Sequence, residues 1–372
     1  MSIVFLIPYI PIPRMIKRIN TAYTIDTTSV IFWDRGTDII ENLTLPRNVV
    51  AHRILVSANE GNPFKRIGAT IKFCTKAYKK LKSENPKCIH VTKTDMLILV
   101  WLYCITKRNK PYVIYEVSDI HKLALNRSNS IIKILIKKIL YLLEYIGFKV
   151  VDKLIVTSES FWTVYYKKMI SKEDMIFLPN TPREEVFETY KPKSTGKFCI
   201  GFIGKVRYKK QIKMLIDVSK DIDIDVLIAG NGIDLDEIIE YSRNFNNVSI
   251  FGSYSYEQEI SDLYGRIDCV FSMYDSNIQN VQIALPNRLY EAALCGLPLI
   301  VSEGTELANI VESEGLGLVV KDNDIDGLIS ALNKLKDESY RKNISEHCKD
   351  YYEKWRYNVV NVKLSDLYNE IF

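Results

Sequence analysis

The 372-residue sequence contains no uninterrupted apolar run near the ~20 residues that a membrane-spanning helix needs. The longest such run, Met96–Thr106, reads as a core helix. Cysteine is sparse: seven residues, an odd number, scattered singly. That pattern fits neither a disulfide framework nor paired metal ligands and points to a reduced, cytoplasmic setting. A Gly-x-Gly-x-x-Gly nicotinamide fingerprint is missing. No Ser/His/Asp order, His-x-x-x-His metal pair or Asp-x-Asp metal motif stands out, the signatures of triad hydrolases and of many metal enzymes. No nucleic-acid motif accompanies the basic residues, so nucleic acid is not an expected partner. Residues 1–13 are apolar but lack a basic start and a small-residue cleavage site, and read as a first strand rather than a signal peptide.

What is present is a globular composition, 47% hydrophobic and 26% charged, on a chain long enough for two domains. The net charge of +5 hides an asymmetry. Residues 1–185 hold 29 Lys+Arg against 16 Asp+Glu, and the remainder holds 21 against 29. A basic half suits an anionic membrane or acceptor; it suits equally well a basic domain held against an acidic one. Apolar strands alternate with helices along the chain: strands at Ser2–Ile7, Val30–Trp33, Asn48–His52, Cys88–Val91 and Tyr112–Tyr115, with a basic amphipathic helix over Pro63–Lys82. That alternation predicts parallel sheets with covering helices. Residues 183–197 are charged, contain Pro192 and Gly196, have no apolar period and read as a linker. The pattern then restarts with a strand at Phe198–Ile203.

The most informative stretch is Ala284–Val301. It reads as a short helix capped by Gly296, stopped by Pro298, and followed by a buried parallel strand, Leu299–Ile300–Val301. Glu291 is the odd residue, a carboxylate in a small, tightly packed helix. Its two acceptor oxygens match the two hydroxyls of a ribose; the bland alternative is a salt bridge. A second candidate is Gly204-Lys205-Val206-Arg207-Tyr208-Lys209-Lys210, which lies between a strand and a helix. A cation-rich turn at a helix N-terminus suits a diphosphate.

These segments resemble the retaining glycosyltransferases of the GT-B fold, family 4-like (glycosyltransferase group 1), which include sucrose synthases and bacterial capsule and lipopolysaccharide transferases. Pro286-Asn287-Arg288-Leu289-Tyr290-Glu291 followed by Cys295-Gly296-Leu297-Pro298 is similar to their Pro-Asn-Lys-Leu-Phe-Glu helix and the small-Gly-x-Pro that follows it. Lys205 and Lys210 stand at the Arg and Lys positions of their Gly-Arg-Leu-x-x-x-Lys-Gly segment, with Arg207 available to share the task. The resemblance implies an α/β fold of two Rossmann-like domains whose parallel sheets face across a cleft. Residues 1–182 would bind acceptor, 183–197 link, 198–350 bind a nucleotide-diphosphate sugar, and a helix over 351–372 would cross back. It places Gly204, Lys205, Arg207, Lys210, Gly230, Gly252, Asp275, Asn287, Arg288, Leu289 and Glu291 at the donor. It places Asp119, and with it Glu116, at the reaction centre, in the segment Glu116–His121. No cofactor and no metal is implied. Two departures stand out. The glycine pair of the first loop is replaced by proline, and the acid usually found eight residues before Glu291 is Ile283. Either the loop is longer and Asp275 substitutes, or the first acid is missing.

Residues 130–149 interleave Lys133, Lys137 and Lys138 with isoleucine and leucine around more than one face. This is too apolar for an ordinary surface helix and too charged to span a bilayer. It reads as a helix lying on an anionic membrane surface, against the alternative of a helix packed on the sheet with solvated lysines. The expectation is a retaining transferase that moves a sugar to a glycan or lipid-linked glycan in surface polysaccharide biosynthesis, cytoplasmic and peripheral on the inner face of the membrane. The rivals are a sugar-nucleotide epimerase of similar fold and a non-catalytic sugar-nucleotide-binding partner of a transferase.

Overall fold

The computed structural model describes residues 2–36, 45–58, 67–120 and 131–372, with only the backbone for 131–133. His121 and the expected helix start at Pro63 lie outside the described residues. The chain divides into two compact units, Met1–Leu178 with Val360–Phe372, and Pro179–Val359.

The first unit is a seven-stranded parallel sheet in the order β3-β2-β1-β4-β5-β6-β7. Its strands are β1 (Ile3–Ile7), β2 (Thr28–Asp34), β3 (Val50–Leu55), β4 (Cys88–Thr92), β5 (Tyr112–Val117), β6 (Lys153–Val156) and β7 (Met175–Phe177). Every residue of β1, β2 and β4 is buried, as expected for strands covered on both faces. Helix α1 (Pro13–Ile25) follows β1, with its proline in the first turn. Helices α2 (Ile67–Glu84), α3 (Thr94–Ile105) and α4 (Ile131–Phe148) make the connections that move from β3 towards β6. Right-handed crossovers put these three on one face and α1 on the other. Accordingly α2 packs on α3, and α3 on α4.

The second unit repeats the plan with six parallel strands ordered β10-β9-β8-β11-β12-β13. They are β8 (Cys199–Ile203), β9 (Asp225–Ala229), β10 (Val248–Gly252), β11 (Cys269–Ser272), β12 (Leu299–Ser302) and β13 (Gly317–Val320). The helices that matter for the site are α5 (Lys209–Asp221), α6 (Leu235–Ser242), α7 (Tyr256–Gly265), α8 (Gln279–Ile283) and α9 (Asn287–Cys295). Gly296 ends α9 in the left-handed conformation, φ +67°. Pro286 sits one residue before the helix rather than inside it.

Two expectations change. The stretch 183–197 is not a free linker. Phe187 is buried in the second unit's core, the Tyr190 hydroxyl donates to the Cys295 carbonyl at 2.9 Å, and Lys193 pairs with Asp268 at 2.7 Å. A charged sequence without apolar period hid these few anchors. The last helix begins at Tyr357, and Tyr368 is fully buried, its hydroxyl 2.7 Å from Nδ1 of His90 in β4.

Candidate functional site

In each unit the strand order reverses beside the first strand, between β1 and β4 and between β8 and β11. At such switch points the carboxyl ends of parallel strands leave a crevice for ligands.

In the second unit, β8 ends at Gly204, φ +135°. Gly230, φ +137°, closes β9 beside it; a Cβ there would lie 1.7 Å from the Gly204 carbonyl oxygen. Gly230 therefore serves close backbone approach. Gly252 ends β10 with φ +77° and accepts the Gly230 amide at 2.6 Å. The turn after Gly204 buries Val206 and exposes Lys205, Arg207 and Lys210. Among the described residues none of these three makes an ion pair, although Arg207 lies over the Tyr208 ring at 5.8 Å. Lys209 differs. It is engaged by Glu237 of α6 at 2.6 Å.

Arg288 completes this corner. It is 7% exposed, and its guanidinium stacks 4.0 Å over Phe202. A Cβ at position 204 would come within 2.6 Å of its Nη2. Its Nη1 is buried without a hydrogen-bond partner. A buried guanidinium against an aromatic ring, with a donor left over beside a strand–turn–helix junction, has the chemistry to receive an oxyanion.

Glu291 lies one turn further along α9 and is 4% exposed. Its Oε1 accepts from the Tyr256 hydroxyl and its Oε2 from the Tyr264 hydroxyl, both at 2.8 Å. Two phenols therefore hold it, one on each carboxylate oxygen. A carboxylate has about four lone-pair sites, and one phenol on each oxygen fixes the group's orientation. Both phenols are raised above the ordinary tyrosine range, first by burial and then by the carboxylate itself. Nothing in the sequence marked Tyr256 and Tyr264, because α7 brings them in from 35 and 27 residues away, respectively.

The other expected donor residues are spread around this corner. Asn287 is exposed in the first turn of α9. Asp275 follows β11, and its Oδ1 accepts from the amide and side-chain nitrogens of Asn277, each at 3.1 Å. Ile283 ends α8 and is 7% exposed. Leu289 is corrected. Its side chain is wholly buried in the core and its amide donates to the Pro286 carbonyl, so it is a packing residue.

In the first unit, a cavity of about 60 Å³ at the ends of β1, β4 and β5 is lined by Tyr9, Arg14, Lys93, Glu116, Ser118 and Asp119, among others. Asp119 is exposed at the β5 tip. Its charge favours the ammonium of Lys93, whose pKa burial nevertheless lowers. Glu116 is corrected too. It is 2% exposed, 3.4 Å from Arg14 Nε, 3.6 Å from Arg18 Nε and 2.9 Å from His90 Nε2. Burial works to raise its pKa, but Arg18, the His90 hydrogen bond and Arg14 outweigh it and hold the carboxyl well below the usual range. It balances buried cations and is not a free acid or base.

Helix α4 turns Glu144 inward, where Thr94, Tyr115, Tyr165 and Tyr166 hydroxyls donate to it at 3.0–3.3 Å. Its outer side exposes Ile134, Leu135, Ile139, Tyr141, Leu142 and Tyr145, together with Lys138. Lys137 is half-buried; the Lys133 side chain lies outside the described residues. No helix among the described residues is long and apolar enough to cross a membrane.

Residues 182–355 match the family model of glycosyl transferases group 1. The chain is 23% identical over 303 residues to the succinoglycan biosynthesis protein ExoL of Rhizobium meliloti, covering 76% of this chain and 72% of that protein. Its structure is similar to sucrose-phosphate synthase from Thermosynechococcus elongatus, with TM-score 0.80 and 13% identity over 100% of this chain and 99% of that one. It is also similar to Anabaena HepE solved with UDP-glucose, with TM-score 0.70 and 14% identity over 100% of both chains. At such identities the structural likeness speaks for the fold.

Proposed function

We propose that this chain, which matches the group 1 glycosyltransferase family model over residues 182–355 and has the GT-B fold, takes a sugar from a nucleotide-diphosphate sugar and delivers it, with retention of configuration, to a glycan or lipid-linked glycan of a surface polysaccharide. The observation that carries the reading is Arg288, buried against Gly204 with a hydrogen-bond donor to spare. The diphosphate lies at the Gly204 turn. Arg288 binds it from within, Lys205 and Lys210 bind it from solvent, and Arg207 sits alongside. Glu291, oriented by its two tyrosines, takes the ribose hydroxyls. Asp275 and Asn287 face the donor from the β11 and α9 ends. The likeness to ExoL supports polysaccharide biosynthesis as the setting, and the UDP-glucose held by HepE supports a nucleoside-diphosphate donor.

The bond between the anomeric carbon and the diphosphate breaks, and the acceptor oxygen bonds to that carbon on the same face. The acceptor's proton passes to the departing phosphate oxygen. Charge grows on the diphosphate as the bond breaks, so fixed cations lower the barrier without a metal or cofactor. Asp119, at the β5 tip of the first unit, orients the acceptor or the transferred sugar. The protein works in the cytoplasm, peripheral on the inner membrane face through α4. Isoleucine, leucine and tyrosine exposed beside Lys138 form the mixed apolar and basic surface that an anionic interface binds.

A panel of nucleotide sugars, read by nucleotide release and by transfer to lipid extracts, tests this. Release that depends on acceptor supports it. Conversion of donor to an epimer, or tight binding without turnover, would replace it with one of the two rival readings; buried Ile283 in place of an acid is the feature favouring the last.

A further inference from the structure

Helices α2, α3 and α4 share one face of the first unit's sheet, so their outward sides form one surface. That surface is apolar beyond α4. Ile67 and Ile71 of α2 are 53% and 60% exposed, and Leu102 and Ile105 of α3 are 43% and 58% exposed. At its far margin, α2 and the edge strand β3 enclose an open groove of about 570 Å³. Lys76, Lys79, Lys80 and Ser83 line it from the helix; Arg53 and Leu55 line it from the strand. Arg53 is matched by Asp34. Lys76, Lys79 and Lys80 are exposed, and among the described residues none of them makes an ion pair. With Lys72 they recur at helical spacing, so the basic stripe continues along α2. Leaving like charges together costs stability, and here no carboxylate of the described residues relieves it.

We propose that this groove is a second membrane contact, which receives the phosphate headgroups of anionic lipid while the apolar sides of α3 and α4 rest at the acyl boundary. The proposal builds on the peripheral membrane reading of α4 and extends it from one helix to a three-helix face. Charge selects the occupant: an array of unmatched lysines beside exposed isoleucine and leucine is complementary to an anionic interface. Two contacts at opposite margins of one face also fix the unit's orientation on the bilayer, which a single helix would leave free to roll.

The test is co-sedimentation of the full chain with phosphatidylcholine vesicles, with and without phosphatidylglycerol. The K76Q/K79Q/K80Q variant should bind anionic vesicles on the order of a hundredfold more weakly, since each lysine near a charged surface contributes about a fivefold factor. Its melting temperature should equal or slightly exceed that of wild type, since like charges are removed. A second variant, Lys137 and Lys138 to Gln, tests α4 separately. If that variant loses binding while the groove variant keeps wild-type affinity, the groove proposal is overturned and the α4 reading stands. If wild type ignores anionic vesicles altogether, both fall. Capture of soluble inositol hexakisphosphate by the groove without any vesicle binding would overturn the lipid assignment.

Discussion

The two units share one plan and spend their buried charge differently. Each has a parallel sheet, a switch point, and a buried arginine and glutamate near it. In the first unit Arg14 and Arg18 flank Glu116, and His90 closes the set. In the second, Arg288 has no carboxylate against it among the described residues, and Glu291 is held by neutral phenols. A buried cation matched by a buried anion is framework. A buried cation with a donor left over has the chemistry to take an anion, which is the role proposed for Arg288. The contrast teaches that burial alone does not separate the two roles; the partner does.

The comparison breaks first at Glu116. Glu116→Gln strands two buried arginines, and removing one member of such a cluster costs about 3–5 kcal/mol. At about 2–4 °C per kcal/mol for a unit of this size, the melting temperature should fall by roughly 6–20 °C. Thermal denaturation measures it, and an unchanged transition would return Glu116 to the candidates for chemistry. The same cluster sets an acid limit. Burial, outweighing Glu116, lowers the His90 pKa, so the unfolded chain takes up a proton near ~6.5 while the folded chain does not, and stability declines as pH drops below that value. Glu116, held low, adds a second loss as pH falls below ~4.3 and through its folded value. Hydrogen exchange should show the β5 amides losing protection over that range.

Arg288→Met should act in the opposite sense on the two observables. Nucleotide-diphosphate affinity should drop by roughly ten- to a hundredfold, the effect of losing a charged hydrogen bond of about 1.5–3 kcal/mol. Stability should hold or rise, because an unmatched buried charge is gone. Titration calorimetry with UDP, beside a melting curve, reads both. A large loss of stability with intact binding would make Arg288 framework like Arg14.

Glu291→Gln lies between these cases. It leaves Tyr256 or Tyr264 facing an amide nitrogen and removes the charge, so the melting temperature should fall by a few degrees and donor affinity by about tenfold. Donors lacking the ribose hydroxyls should then no longer be distinguished from normal ones. Tyr264→Phe should lower stability and, by releasing one oxygen of Glu291, weaken donor binding by less than Glu291→Gln does. The smallest effect separates neighbours in the basic turn. Lys210→Gln should weaken donor binding a few-fold, whereas Lys209→Gln should not, since Lys209 is already engaged by Glu237 in an exposed pair of about 0–1 kcal/mol.

Legibility followed range. The Pro-Asn-Arg-Leu-Tyr-Glu helix, its Gly296 end and the strand after it were readable because caps and apolar runs are local. The turn after Gly204 was readable for the same reason. The partners of Glu116 were not: Arg14, Arg18 and His90 lie far from it in sequence and meet it only through the order of β1, β4 and β5.

The sequence by itself determined that this is a two-domain α/β protein of parallel sheets, because buried strands are apolar without alternation and turns carry their own glycine and proline. It also marked the cation-rich turn after Gly204, which carries Lys205, Arg207, Lys209 and Lys210 between a strand and a helix. The tertiary structure alone decided which charges are already matched. Matching depends on side chains from different strands and helices converging in a medium of low polarity, and no local pattern records that.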